Sequence, residues 1–512
     1  MSRSKKFARS LASGYVLLGV NILYTLAQWP LALRYLSNRE LALWVVVTTL
    51  SANLQLLIDL GMSGSISRIL VDHKDDQTSD RYGVVIQTGL LTLLVQGVLI
   101  ALIGGLASVW LPQWMNIDAE FVHPFRWLMI GQCVLVGASF AGRIFTFILQ
   151  AHQRYDLGNY SLIGGFVVNL LTLWIAFELH LGLYSLLVAT AANLLFSNAF
   201  CLLAVWWMKF FPAAPRRGRV DWATFRDIFA YATDIFLLSV GQVLISVSQV
   251  PLITLMLGLE TAAVWSALTK TFMLAQQLIA RIFDFSSSPF AEMMVRGERE
   301  RLRARFRDVV ILTASVGVVA CLGVALGNGS FVHLWMQGRF SWDAKNDLLM
   351  ALFIIVGTST RCHVGLAGLT KDIRAMKYVY VIEGVAFVAL GSALAPRWGL
   401  AGIIVSGIAS NLVCSGLYGL WRTTEYLQFT PREFFLGWLK FPARLFLILL
   451  AAAVGLWFAL RSLAPLPQLL ADTVGLGLAG GFCFWRLGLP EHLRQELALA
   501  LGKVRARLVG GK

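Results

Sequence analysis

Residues 296–331 read RGERERLRARFRDVVILTASVGVVACLGVALGNGSF. Six arginines (Arg296, Arg299, Arg301, Arg303, Arg305 and Arg307) crowd its first third, and from Val309 to Phe331 no ionisable side chain occurs except the thiol of Cys321. A hydrocarbon core of about 30 Å is crossed by roughly 20 helical residues, so this stretch has the length and composition of a membrane helix entered from a basic loop. The arrangement recurs from end to end. Apolar runs lie near 13–33, 41–62, 84–110, 124–148, 160–178, 181–208, 229–257, 262–286, 309–331, 347–367, 376–394, 398–421, 441–460 and 468–487, fourteen in all. Across 512 residues, 57% are hydrophobic and 14% charged, with a mean hydropathy of +0.70. That is too apolar for a soluble fold. Barrel strands would alternate over about 10 residues, and no such alternation occurs, so the fold class is all-α and polytopic.

The net charge of +15 raises the question of nucleic acid, which the placement of the basic residues answers. On the fourteen-run map 32 of the 43 Lys and Arg lie at the amino terminus, in the even-numbered connections and in the tail, 7 lie on the opposite side, and 4 lie within helices. Positive loops face the cytoplasm, so the charge reports topology with both termini cytoplasmic. Membrane lipids are the partner of these loops and nucleic acid is not.

The first run is too long for a signal peptide, and no small-residue cleavage site follows it, so it reads as the first membrane helix. The six cysteines all fall in apolar runs without ligand spacing, which implies small core residues and no metal. No G-x-x-x-x-G-K-[S/T] loop exists to cradle a nucleotide phosphate. No cofactor is implied. The longest outside connection, Asn328 to Asp347, is too short for a catalytic domain.

The chain also repeats itself. At a shift of 221, Leu36, Ala42 and Trp44 fall on Leu257, Ala263 and Trp265; at 218, Arg143 falls on Arg361, Tyr160 on Tyr378 and Asn193 on Asn411. The expected organisation is a six-helix lobe (1–211), a basic cytoplasmic linker (212–228), a second six-helix lobe (229–425), transmembrane helices 13 and 14 (426–487) and a basic cytoplasmic tail (488–512). Six helices per half give the lobes parallel orientation about a pseudo-two-fold axis along the membrane normal.

Charge at the bilayer centre costs about 2.5–3.5 kcal/mol per residue, so the ionisable groups inside the runs need partners or water. Arg143, Lys270, Arg281 and Arg361 are the candidate cationic cavity, and Asp59, Asp234, Asp284 and Glu383 are candidate ion-coupling groups. Ser266, Lys270, Gln277, Arg281 and Asp284 share a face of roughly 60° on the eighth run. Thr48, Ser51, Gln55 and Asp59 do so on the second, and Gln132, Ser139, Arg143, Thr146 and Gln150 on the fourth. The seventh adds Asp234, Ser239, Gln242, Ser246 and Gln249. Gln55, Gln242, Gln249 and Gln277 are thus the candidate polar lining of a hydrated cavity. The competing readings are an Arg281–Asp284 pair within one helix, snorkelling of Arg143 and Arg361, and helix-terminal roles for Asp59 and Asp234. His180 and His363, without ligand-spaced companions, read as interfacial.

The stretch RYLSNRELALW (Arg34–Trp44), followed by LIDLG (Leu57–Gly61) and Ser67-Arg68, resembles the opening of the Wzx-type polysaccharide flippases of the multidrug/oligosaccharidyl-lipid/polysaccharide (MOP) superfamily. The resemblance implies a V-shaped pair of lobes in the bacterial inner membrane, carrying an undecaprenyl-pyrophosphate-linked oligosaccharide from the cytoplasmic to the periplasmic leaflet by alternating access. It implies a lipid-linked oligosaccharide as partner, with other polysaccharide-assembly membrane proteins as further candidates. The two extra helices resemble those of lipid II flippases, where a side groove is thought to take the lipid tail. A drug/cation antiporter of the same superfamily is the alternative, followed by an integral-membrane glycosyltransferase or polymerase. Both fit less well, given four intramembrane cations and short outside loops. The topology makes a direct prediction: a single cysteine at position 217 reacts with a membrane-impermeant thiol reagent only after the cytoplasmic face is opened, and one at position 339 reacts in intact spheroplasts. Labelling of position 217 from outside would invert the map.

Overall fold

The computed structural model describes residues 3–74, 80–213, 216–370 and 374–499, and of residues 3–11, 231–235, 238, 239 and 374 only the backbone. The described residues form helices α1 (Arg3–Tyr35), α2 (Asn38–Asp59), α3 (Met62–His73), α4 (Arg81–Trp114), α5 (Ala119–Ala151), α6 (Tyr155–Glu178), α7 (Tyr184–Trp207), α8 (Trp222–Gln242), α9 (Gln249–Leu257), α10 (Leu259–Leu268), α11 (Lys270–Val295), α12 (Arg299–Trp335), α13 (Ala344–Leu369), α14 (Arg374–Trp398), α15 (Leu400–Asn411), α16 (Leu417–Leu427), α17 (Lys440–Leu460) and α18 (Pro465–Leu487). Wider π-helical turns at Val243–Val247 and Leu412–Gly416 join α8 to α9 and α15 to α16, and a third, Glu433–Trp438, precedes α17.

Among the described residues eleven helices are long and apolar enough to cross a membrane, and Val240–Val247 with Gln249–Leu257, bent by 47°, adds a twelfth if taken as one span. The chain is an all-α polytopic membrane protein. The eighth and fourteenth runs of the sequence reading are not among the twelve. The eighth is interrupted at Thr269 and carries Lys270, Arg281 and Asp284, while α18 carries Asp472, Arg486 and four glycines. Large apolar side chains such as Trp114, Trp207 and Leu195 face outward, as lipid-facing helices require.

Several boundaries differ from the sequence reading, three of them with consequences for the fold. The second run stops at Asp59, because Leu60 (φ 50°) and Gly61 (φ 77°) turn left-handed and start α3 in a new direction. The arginine-rich segment read as a loop is instead the first turns of α12, 37 residues long. Glu298 accepts from Arg301 (3.0 Å) and Leu302 and Phe306 are buried, so the segment is an amphipathic helix end. Asn328 likewise lies inside α12, which leaves 336–343 as the connection.

The chain divides into two compact units, Met1–Ala263 and Val264–Lys512. In the first, Ser37 caps α2 in a reciprocal box with Glu40, and α4 packs along α5 with Gly97 facing Gly137. A Cβ on either glycine would run into the other's backbone carbonyl, so only glycine allows this approach. α8 packs against α3 and α4 in this unit, where Ser65 Oγ donates to the Ile228 carbonyl (2.9 Å). In the second, α12 packs against α11, α13, α17 and α18. Phe283, Phe290, Phe306, Phe429, Phe434 and Trp438 form an aromatic core at one end of it. Helical residues 491–499 fold back onto α12, where His492 Nε2 lies 2.9 Å from Asp308 and Arg305 donates to Glu496 (2.7 Å). Of the cysteines, Cys133, Cys201, Cys321 and Cys362 are buried and Cys414 and Cys483 half-buried, all as free thiols.

The glycine contact is testable. Gly137→Leu is expected to destabilise the protein by roughly 1–3 kcal/mol through overpacking, lowering the detergent-solubilised unfolding temperature. Gly105→Ala, with nothing within 4 Å of its Cβ position, should leave that temperature unchanged or raised.

Candidate functional site

In the first unit the site is built where α2 ends. Gln96 of α4 donates through Nε2 to the Ile58 and Asp59 carbonyls (2.7 and 2.9 Å), supplying the donors that a broken helix has lost. The Asp59 carboxylate accepts from Ser63 Oγ and faces Arg143 of α5, whose Nη1 lies 4.0 Å from Asp59 Oδ1. The guanidinium rests over the Phe140 ring, 4.0 Å from its centroid, a cation–π contact that keeps it flat against α5. The Arg143 and Asp59 side chains are 32% and 16% exposed.

The second unit holds its own arginine–aspartate pair. Arg361 of α13 donates through Nη2 to Asp284 Oδ1 of α11 at 2.8 Å, with the side chains 55% and 36% exposed. Asp284 therefore reaches across to a neighbouring helix, and the alternative Arg281–Asp284 pair along one helix is not formed. Arg281 is exposed and Lys270 half-buried; neither makes an ion pair or hydrogen bond among the described residues. Gln277 is exposed on the same stripe.

Arg143 and Arg361 fall on each other at the sequence offset of 218, and their acids sit on the second and eighth runs, which the same comparison lines up. The acids are offset by 225, from Asp59 to Asp284, one or two helical turns out of register with the arginines. A constant-shift comparison of the sequence therefore misses the pairing.

The glutamines divide. Gln249 is buried and donates to the Ile245 carbonyl (3.1 Å), and Asn53 donates to the Val247 carbonyl (3.3 Å). Both mend the π-helical turn, whose wider register frees carbonyls. Gln242 is exposed and donates to Ser246 (3.0 Å), and Gln55 is half-buried. Asp234 lies in α8, with its side chain outside the described residues. Glu383 of α14 is buried and accepts from Asn411 Nδ2 (3.0 Å), from Ser415 N (3.2 Å) and from Ser415 Oγ. Its carboxylate stitches α14 to the π-helical turn after α15.

His363 corrects an expectation. It is not interfacial but buried, with Nδ1 2.8 Å from Thr423 Oγ1 and the ring edge-on to Phe306 and Phe434; a lone histidine in an apolar run gave no signal of that cage. His180 is exposed at the end of α6. Sequence reasoning also passed over Arg39, whose Nε donates to Glu260 (2.7 Å) while Nη1 lies 3.6 Å from Asp118 and 3.8 Å from Glu120. The close spacing of Asp118 and Glu120 was the available signal. Among the described residues no group of three His, Cys, Asp or Glu side chains could hold a metal ion.

In the second unit α17 also closes an apolar cleft of 430 Å³ against α13 and α16, walled by Leu352, Ile355, Leu412, Phe435 and Leu447.

Residues 10–294 match the family described as polysaccharide biosynthesis protein. No curated protein matches the chain. Among solved structures it is similar to an inward-facing multidrug resistance MATE family transporter of the MOP superfamily, at 16% identity over 80% of this chain and 96% of that one, with a TM-score of 0.67. It is similar to lipid II flippase MurJ in an inward closed conformation, at 12% identity over 93% and 98%, with a TM-score of 0.63. A MOP superfamily transporter from Pyrococcus furiosus, titled for the reverse polarity of its binding pocket, is similar at 17% identity over 83% and 97%, with a TM-score of 0.57. At these identities the likeness establishes the fold.

The buried carboxylate gives a stability prediction. Glu383→Ala strands three donors, each costing about 1–3 kcal/mol when left unsatisfied, so its unfolding temperature in detergent should fall well below that of Ser415→Ala. Equal temperatures for the two variants would show that water replaces the carboxylate.

Proposed function

The chain belongs to the polysaccharide biosynthesis protein family and has the fold of MOP-superfamily transporters, and on that premise we propose that it flips an undecaprenyl-pyrophosphate-linked oligosaccharide from the cytoplasmic to the periplasmic leaflet by alternating access. Its activity is transport and not covalent chemistry. In this reading α10–α11 and α18 complete fourteen spans, lobes 1–211 and 229–425 alternate, and 212–228 and 488–512 are cytoplasmic with both termini, in the bacterial inner membrane. An ion gradient or the membrane potential supplies the energy, with Asp59, Asp234, Asp284 and Glu383 as candidate coupling groups.

One observation carries the substrate class: two arginines, one in each unit, each partly exposed and each with guanidinium donors left open among the described residues. The pyrophosphate is the part of this substrate least able to enter hydrocarbon, and a guanidinium offers a fork matched to its oxygens. Lys270 and Arg281, without partners among the described residues, add attraction on α11. Gln55, Gln242 and Gln277 suit a wet sugar, whereas Gln249 is spent on its own helix. The apolar cleft against α17 suits the polyprenyl tail. A drug/cation antiporter fits less well, because the charges without partners among the described residues, Lys270 and Arg281, are positive and would repel a cationic substrate.

The deciding measurement is export of lipid-linked sugar per molecule, with membrane abundance quantified alongside. Arg143→Ala/Arg361→Ala should lower it by roughly tenfold or more, since hydrogen bonds to charged groups contribute about 1.5–3 kcal/mol. Lysine at either site should restore part of the activity, because charge survives while the fork is lost. Normal export per molecule in the double alanine variant would remove both residues from the site.

A further inference from the structure

Arginine–carboxylate pairs of two kinds occur in this chain. Arg154 and Asp156 form a closed pair, with Nε donating to Oδ1 (2.9 Å) and Nη2 to Oδ2 (3.0 Å), the side chains 15% and 3% exposed. Both carboxylate oxygens and both edges of the fork are used, which is the geometry of a structural clamp. Arg361 and Asp284 share a single hydrogen bond in a far more open place, and Arg143 faces Asp59 at 4.0 Å. Among the described residues no other side chain or amide donates to the Asp284 carboxylate.

The acids also sit where their helices are weakest. Asp59 is the last residue of α2, directly before the left-handed Leu60 and Gly61. Asp284 stands five residues ahead of Pro289 inside α11, and proline removes a rung of the helical ladder. Either carboxylate can withdraw from its arginine by a local bend without unravelling a continuous helix.

We propose that Asp59 and Asp284 are exchange partners of the substrate anion: each holds its arginine while its unit is empty, yields it to the oxygens of a diphosphate, and takes it back when the diphosphate leaves. A tetrahedral phosphate presents two oxygens to one guanidinium and so outcompetes a carboxylate held through one contact. The carboxylate in turn compensates the charge of its own arginine while the diphosphate is absent. It also limits how tightly the anion is held, so that release is assisted by re-formation of the pair. Lys270 and Arg281 have no such partner among the described residues and attract the anion without being exchanged. The inference rests on the reading of the protein as a carrier of a diphosphate-bearing lipid, and it assigns each aspartate to regulating the arginine of its own unit.

The test uses the full chain in detergent, with inorganic pyrophosphate as the probe and unfolding temperature as the control for folding. Asp284→Asn should tighten pyrophosphate binding by roughly fivefold, the competition expected of an exposed pair. In cells the same variant should lower export per molecule, because release is no longer assisted. In the Arg361→Ala background Asp284→Asn should change pyrophosphate binding by less than twofold, since the competitor has lost its target. An equal gain in both backgrounds would mean that the acid acts by general repulsion, and weakened binding in Asp284→Asn alone would mean that it positions the arginine; either overturns the exchange. Asp59→Asn with Arg143→Ala gives the parallel cycle in the first unit. Failure of the functional reading itself has another signature: pyrophosphate binding untouched by Arg143→Ala, Arg361→Ala or their combination.

Discussion

In hydrocarbon a backbone amide or carbonyl has no partner except another part of the protein, and every departure from straight helix has to be mended by a side chain. This constraint organises both units. Where α2 breaks, Gln96 covers the last carbonyls. Where α8 widens into a π-helical turn, Gln249 and Asn53 cover two more. Where α10 gives way to α11, Asn328 donates to the Leu268 carbonyl (3.1 Å) while accepting from Thr271. A large share of the buried polar side chains are thus spent on the backbone, and a transport site has to be made from what is left over.

What is left over is mostly charge. Arg143 lies beside the break after α2 but does not mend it; it and Arg361 each meet a carboxylate from another helix of their own unit. Open pairs of this kind, one sharing a single hydrogen bond and the other 4.0 Å apart, contribute little to stability, in contrast to the closed Arg154–Asp156 clamp. Their cost is tolerable because each charge is compensated, and their looseness leaves guanidinium donors open.

The second unit adds a rigid counterpart. Phe283, Phe290, Phe306, Phe434 and Trp438 pack into one aromatic core at the end where α12 begins, and α12 carries packing from four other helices. The arginine-rich start of α12 belongs to this rigid part, since Leu302 and Phe306 point into the core while the arginines pair outward with Glu298, Glu433 and Glu496. Charge placed there is paired at the helix surface. Charge placed on α5, α11 and α13 is of a different kind.

Hydropathy and run length by themselves determined the all-α membrane fold, because the free energy of placing about 20 apolar residues in lipid outweighs any local detail. The distribution of Lys and Arg set the expected topology in the same way. The polar stripes were legible too, since 3.6-residue periodicity places Lys270, Gln277, Arg281 and Asp284 on one face whatever packs against it. Which residues meet was not legible. Asp284 turned to Arg361 and not to Arg281, Gln249 to its own backbone, and His363 into an aromatic cage. Periodicity fixes a side chain's direction around its own axis but not the register or crossing of the next helix. That relation belongs to the tertiary structure, and it alone decided which polar groups are consumed as structure and which stay open for a ligand.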